Sequence, residues 1–351
     1  MVEKLSVVKF GGSSVKSSFW SALKLVDYLL EGSRVVVVVS ALRGVTEKLL
    51  KLSEWPDWRT FESIALEHYK IANRLGADIE PLLSELEKAV ARRRYDPEWR
   101  DYILSFGERL SAVLFAKALE NEGIPAIPVD AREILTLRGS FGNAEIDIPA
   151  SLPKVKKLGE LAKETVPVVT GFIGSLNGKT ATLGRGGSDY TASALGAMLD
   201  ARAVLIMSDV EGIYTADPRL VPEAKLIHFL SRERALLAAK LGMKALHPRT
   251  IEPLKSIPLI LGRTEDWSFG TLVSDFGDDW PIVVHRVEGE RARIAVVGVE
   301  ELPGWKGVKG NGYFSLTVDR EELVPVLREI HGVVFDEGSR SRYHSELRAR
   351  V

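Results

Sequence analysis

Apolar residues fall in two rhythms along this chain. Residues 5–10 form a short apolar, β-branched run that stops at Gly11 and Gly12; Phe19, Leu23, Val26 and Leu30 then recur at helical spacing, and residues 35–39 are again continuously apolar. Short unbroken apolar runs mark parallel strands buried on both faces, so the chain opens as a β-α-β unit. From Thr46 to about Glu120 the spacing is helical, punctuated by Pro56, Pro81 and Pro97, with Arg92, Arg93 and Arg94 reading as a solvated helix end. Strands return over residues 124–129, 166–172 and 203–208, Asn177-Gly178 predicts a tight hairpin turn, and residues 191–199 form an Ala-rich helix. Strands alternating with helices over about 260 residues predict an α/β three-layer sandwich with a mainly parallel central sheet.

The texture changes near residue 265, through Asp266, Trp267, Ser268 and Gly270 to Asp278 and Asp279. Beyond it, strands are expected over 282–287, 292–299 and 313–318, a helix over 320–330 and a last strand over 333–335. The expected division is a domain over residues 1–265, a small α+β module over 266–340 and a flexible polar tail over 341–351.

Composition narrows the classes. The 351 residues carry 47 Lys plus Arg against 48 Asp plus Glu, a net charge of −1, which argues against nucleic-acid binding by bulk charge. The absence of Cys excludes disulfides and thiolate metal sites, and the six His residues have no metal-like spacing. Apolar runs fall short of the roughly 18 residues of a spanning helix, and no secretory pattern opens the chain, so a cytoplasmic location is expected. No Gln, 4 Met and abundant Glu, Lys and Arg fit a thermophile.

Four clusters carry candidate chemistry. Lys9-Phe10-Gly11-Gly12-Ser13-Ser14 places a cation at a strand end, two residues without Cβ and then hydroxyls at a helix start, which suits phosphate as well as it suits a plain tight turn. In Thr182-Leu183-Gly184-Arg185-Gly186-Gly187-Ser188-Asp189, glycines form an anion-binding nest around a guanidinium fork. The segment from Ser208 and Asp209 to Asp217, Pro218 and Arg219 succeeds a buried strand, where loops of parallel sheets bind ligands. The last cluster, Gly242 to Arg249, presents Lys244 and Arg249 in a turn; alone, such residues are more often solvated surface charges. Asp275-Phe276-Gly277 matches the protein-kinase metal triplet but lacks the loops that must accompany it.

In order and spacing, these clusters resemble the aspartate kinases of the amino-acid kinase family, as do Ser40-Ala41, Gly44-Val45-Thr46, Ser105-Phe106-Gly107-Glu108-Arg109 and Thr170-Gly171-Phe172. The resemblance covers residues 3–265 and implies the amino-acid kinase fold, ATP and Mg2+ as cofactors, and phosphorylation of the side-chain carboxylate of L-aspartate. Carried over by position, Lys9 and Lys244 are the catalytic cations, and Asp189 holds Lys9. Gly11, Gly12 and Ser13 bind phosphate. Arg185 clamps the α-carboxylate, Glu108 accepts the α-ammonium, and Ser40, Thr46, Phe172 and Ser188 complete the amino-acid pocket. Ser208, Asp209, Tyr214, Asp217, Pro218 and Arg219 form the nucleotide loop. Homoserine and glutamate are rival acceptors on the same fold, and a non-catalytic amino-acid sensor is a reading from another class.

The chain also departs from the family pattern. Ser13 replaces the usual Thr, and Thr136-Leu137-Arg138 lacks the acidic residue expected after the Thr. Two ACT modules, the βαββαβ units that bind feedback amino acids, do not fit into about 85 residues. Pro303 to Gly312 is too short and Gly-rich for the first ACT helix, so the resemblance implies one reduced ACT-like module that packs, or joins a homodimer, without feedback control.

Overall fold

The structure, a computed structural model, describes residues 4–335. The tail expected over 341–351 and the end of the module near residue 340 lie outside the described residues. The chain divides into two compact units, one holding residues up to Glu211 with Arg249–Phe269, the other Gly212–Pro248 with residues from Gly270 onward.

In the first unit β1 (Leu5–Phe10) turns at Gly11 into α1 (Gly12–Lys16) and α2 (Phe19–Leu30), then returns as β2 (Arg34–Val39). The helical stretch resolves into α3 (Val45–Glu54), α4 (Trp58–Leu75), α5 (Glu80–Ala91), α6 (Pro97–Leu104) and α7 (Phe106–Asn121). Pro81 and Pro97 stand in the first turns of their helices, where a missing N–H costs nothing. Next come β3 (Ala126–Val129), α8 (Ala131–Ile134), the short pair β4 (Leu137–Arg138) and β5 (Glu145–Ile146), and α9 (Ile148–Leu161). They lead to β6 (Val166–Thr170), the hairpin β7 (Ile173–Leu176) and β8 (Lys179–Thr182), α10 (Gly187–Met198) and β9 (Ala203–Ser208). The chain passes through the second unit with β10 (Phe229–Ser231) and α11 (Arg232–Leu241). It re-enters the first with α12 (Pro248–Ile251) and β11 (Leu259–Arg263), and leaves again along β12 (Ser268–Ser274).

The first unit's strands order as β11-β9-β1-β2-β6-β3, every neighbour parallel. Side chains alternate across a strand, so the complete burial of Val7, Val8, Val36 and Val37 requires cover on both faces. Val8, Phe10, Val37 and Val39 share one core cluster with Phe115 of α7, and Phe10 stacks on Phe115 with ring centroids 5.3 Å apart. The opposite parity, which includes Lys9, faces the side packed by α10. Pro128 lies in β3, the edge strand, where the ladder does not need its N–H. At the predicted hairpin Leu176 pairs with Lys179, and Asn177 and Gly178 take φ of 51° and 78°, the geometry of a two-residue type I′ turn.

The second unit pairs β10 with β12 in parallel and contains the antiparallel sheet β13 (Ile282–Glu288), β14 (Arg291–Val297), β15 (Val308–Gly310) and β16 (Tyr313–Asp319), ordered β13-β14-β16-β15. Between β14 and β16 the chain makes turns and the short β15 rather than a helix. The strand expected over 333–335 does not form. Helix α13 (Leu323–Phe335) runs through it, because Leu323, Leu327, Ile330 and Val334 continue one helical stripe into a core with Val283, Ile294, Val296 and Phe314. Ala216 and Val221, from the earlier segment, belong to the same core.

No helix among the described residues is long and apolar enough to cross a membrane.

Candidate active site

At the C-terminal ends of the parallel strands lies a cleft of about 310 Å³, where ligands of open α/β sheets collect. Its lining contains Lys9, Ser40, Thr46, Glu108, Phe172, Arg185, Ser188 and Asp189 together. Those residues are scattered over about 180 positions of sequence, and the fold brings all of them to one place.

Close backbone contact makes this possible. A Cβ on Gly107 would stand 2.6 Å from Cβ of Ala41, so only glycine lets the first turn of α7 touch the loop after β2. That contact brings Glu108 Oε1 within 3.1 Å of the Ala41 N–H. A Cβ on Gly12 would lie 2.6 Å from the carbonyl oxygen of the same Ala41, while Gly12 accepts a hydrogen bond from the Arg43 N–H at 3.1 Å.

Lys9 is 8 % exposed, and its Nζ lies 2.5 Å from Asp189 Oδ1. Helix α10 starts at Gly187, earlier than the sequence suggests, so Asp189 sits in its first turn, where the macrodipole favours a negative charge. Ahead of it, Gly184 and Gly186 adopt φ of 73° and 72° and fold the chain into the expected nest. Arg185 projects from the nest, exposed and without a hydrogen bond or ion pair among the described residues. Phe172 takes φ of 69°, uncommon for a bulky side chain. It is held by Leu183, whose N–H donates to the Phe172 carbonyl at 2.8 Å, and by Thr191 Oγ1, which accepts from the Phe172 N–H at 3.2 Å.

The predicted phosphate loop borders the cleft's strand. The Gly11 N–H donates to the Met207 carbonyl at 3.0 Å, tying β1 to the end of β9. Asp209 Oδ2 accepts from Ser13 Oγ at 3.3 Å and from Arg43 Nη1 at 3.4 Å, and Ser208 precedes it at the end of β9. The other predicted nucleotide residues belong to the second unit. There Asp217 takes a fork from Arg219, with Nε and Nη2 at 2.9 and 2.8 Å, and Lys244 Nζ lies 3.7 Å away. The Arg219 hydrogen bond, with Lys244 adding to it, pulls the Asp217 carboxyl down to about 2. Tyr214 bridges to Leu226, and Pro218 comes directly after Asp217 in the same turn.

Glu47, missed in the sequence, also lines the cleft, one residue past Thr46 in the first turn of α3. Its place next to a named residue at a helix start was the available signal. Among the described residues, no group of three or more His, Asp or Glu could hold a metal ion.

Glu108 is 3 % exposed, and its second oxygen, Oε2, has no hydrogen-bond partner. Burial pushes its carboxyl from an ordinary 4.5 up to about 8, against the opposing pull of the Ala41 N–H and Lys9. The folded protein therefore holds a proton that the unfolded chain has released, so this group's contribution is most favourable below about pH 4.5 and is lost as pH rises to about 8. Glu108→Gln does not titrate. Its unfolding free energy relative to the wild type, followed by denaturant melts across pH, should climb between about pH 5 and pH 8 and level off above, by an amount on the order of a few kcal/mol. A difference independent of pH would mean that Glu108 is ionised in the free protein.

The sequence model of the amino acid kinase family matches residues 4–262. The lysine-sensitive aspartokinase 3 of Escherichia coli K12 is 36% identical over 300 residues, which are 80% of this chain and 66% of that protein. The aspartokinase of Chlamydia muridarum is 33% identical over 74% of this chain and 61% of its own length. This chain thus spans about two thirds or less of the length of these curated relatives. Among solved structures, E. coli aspartokinase III in complex with aspartate and ADP, in its R-state, superposes with a TM-score of 0.87 at 25% identity, over 95% of this chain and 100% of that one. An aspartate kinase from Clostridium acetobutylicum shares the fold, with a TM-score of 0.71 at 20% identity over 94% of this chain and 99% of that chain. With its parallel sheet, its glycine-framed cleft and a family match over residues 4–262, this chain belongs to the amino acid kinase family.

Proposed function

We propose that the protein is an aspartate kinase, transferring the γ-phosphoryl group of ATP to the side-chain carboxylate of L-aspartate to give 4-phospho-L-aspartate and ADP. The observation that carries this reading is the meeting of Arg185, Glu108 and the Lys9–Asp189 pair in one cleft. An α-amino acid presents a carboxylate and an ammonium. The unpaired guanidinium fork suits the first. The buried free oxygen of Glu108 suits the second, since a neighbouring ammonium favours the ionised carboxyl. Ser40, Thr46, Phe172 and Ser188 shape the rest of the pocket. The similarity to a protein crystallised with aspartate and ADP supports the same two ligands here.

The chemistry asks for positioning and positive charge. A carboxylate approaching a phosphate at about 4 Å is repelled by roughly 4 kcal/mol at an effective dielectric of 20. Lys9 offsets that crowding at the transferring group, Asp189 keeps Lys9 aimed, and Gly11, Gly12 and Ser13 offer donors to phosphate oxygens. Lys244 is the second cation, on the nucleotide side, with Ser208, Asp209, Tyr214, Asp217, Pro218 and Arg219 as the nucleotide-binding residues. A carboxylate oxygen attacks the γ-phosphorus as the bond to the β–γ bridging oxygen breaks; ADP leaves with the electron pair, and no proton needs removing. Mg2+ would ride on phosphate oxygens and water and neutralise charge, with Asp209 beside Ser13 as the carboxylate available to its water shell.

We read residues 1–265 as the catalytic domain and 266–340 as a reduced ACT-like module, the whole as a cytoplasmic homodimer in amino-acid biosynthesis. The four-stranded antiparallel sheet with one helix supports the ACT-like reading, and turns with a short strand stand where the other helix would lie. Since ACT effector sites form at such helices, lysine, threonine and methionine titrated into the assay should leave the rate unchanged; strong inhibition by any of them would restore a feedback site.

The function itself is tested by ADP release across an amino-acid panel with hydroxylamine present. Aspartate should be the preferred acceptor and yield a hydroxamate, which only an acyl phosphate gives; turnover of homoserine without hydroxamate would replace the assignment. Lys9→Ala should lower kcat at least about 100-fold, the scale of one preorganised charge contact, and a loss below about threefold would remove Lys9 from the reaction. Arg185→Lys should raise the KM for aspartate about tenfold, because one ammonium cannot reproduce a fork. An unchanged KM would move the clamp elsewhere.

A further inference from the structure

Arg185 is exposed and has no partner of its own among the described residues, so its aim comes from the backbone that carries it. That backbone is gripped from two sides by opposite charges that the catalytic reading leaves without a task. On one side, the fully buried Asp101 in α6 accepts through Oδ2 from the Thr182 N–H at 2.8 Å and from the Gly142 N–H at 2.6 Å. On the other, Arg249 Nη1 donates to the Leu183 carbonyl at 3.2 Å, the Ala144 carbonyl at 3.3 Å and Asn143 Oδ1 at 3.1 Å. The two gripped segments are also joined directly, Ala144 N–H to the Thr182 carbonyl at 3.0 Å. Gly184, where the nest begins, is packed so closely on this segment that a Cβ there would come within 2.9 Å of Asn143 Oδ1.

We propose that Asp101 and Arg249 are positioning residues for the amino-acid clamp: they fix Thr182 and Leu183 against residues 142–144 so that the nest presents Arg185 in one orientation. This rests on the aspartate kinase reading above. Hydrogen bonds to charged groups are roughly twice as strong as neutral ones, and a charged anchor on each side of a two-residue segment leaves it little freedom. Neither residue lines the cleft, so losing one shifts the clamp without removing any group that touches substrate. An error of about 1 Å at such a distance can cost about a hundredfold.

Asp101→Asn, whose amide oxygen can still accept both N–H groups, is the conservative control; Asp101→Ala and Arg249→Met each remove one grip. Each should raise the KM for aspartate between about ten- and a hundredfold, leave kcat and the KM for ATP within about threefold, and speed amide hydrogen exchange across residues 184–187. In an Arg185→Ala background neither change should raise the KM further, because there is no fork left to misplace. Undisturbed KM and exchange in both variants overturn the proposal, and so does a KM rise that persists in full without Arg185. If Asp101→Ala fails to fold, the partly exposed Arg249 decides alone. Wild-type protein with no aspartate-dependent ADP release would defeat the functional reading instead; the exchange measurement then still judges the grip, and unchanged exchange would refute it.

Discussion

Lys9 comes to the cleft from a strand on which every other side chain is buried, and at 8 % exposure an unpaired ammonium would cost several kcal/mol. Asp189 supplies the partner, and that requirement explains much of the first unit. Lys9 must have the parity that faces α10, α10 must begin early enough to put Asp189 in its first turn, and the nest must end where that helix starts. Remove the pair and the strand end, the helix start and the glycine turn lose the reason for their mutual placement.

Charge in the cleft is divided by function. Lys9 and Asp189 compensate one another, Glu108 is favoured in its protonated form by burial, and Arg185 is a cation with no protein partner among the described residues. On the proposed function, an incoming zwitterion would fit that state, bringing the anion that Arg185 lacks and a cation that favours ionised Glu108. The free protein thus keeps few uncompensated charges in a half-enclosed space, and a bound amino acid would complete the electrostatics.

Much of this was legible in the sequence. The apolar runs 5–10 and 35–39, the helical spacing after Phe19 and the Asn177-Gly178 turn are local signals, each fixed by residues within a few positions, and each appears in the structure. Most of the residues that line the cleft were named from clusters whose order resembles a family. Asp101 and Arg249 were not, because a buried carboxylate in α6 and an arginine after a proline look like ordinary surface charge until their partners, up to 106 positions away, are in view. The strand expected at 333–335 failed for the opposite reason: a β-branched run was read locally, while the stripe begun at Leu323 and Leu327 carried the helix on.

The second unit is not a terminal appendage. Residues 212–248 leave the first unit and return to it, and within the second unit they are bonded to the strands and helix beyond residue 270: the Val283 N–H donates to the Thr215 carbonyl, and the Thr215 hydroxyl meets His331 Nε2 at 2.9 Å. Ala216 and Val221 share their core with the late strands and α13. Shortening the polypeptide from its C-terminal side would therefore strand that inner excursion, baring Ala216 and Val221 to solvent. A fragment holding the first unit alone would need the chain cut after Glu211, Pro248 and Phe269, with a new splice joining Glu211 to Arg249.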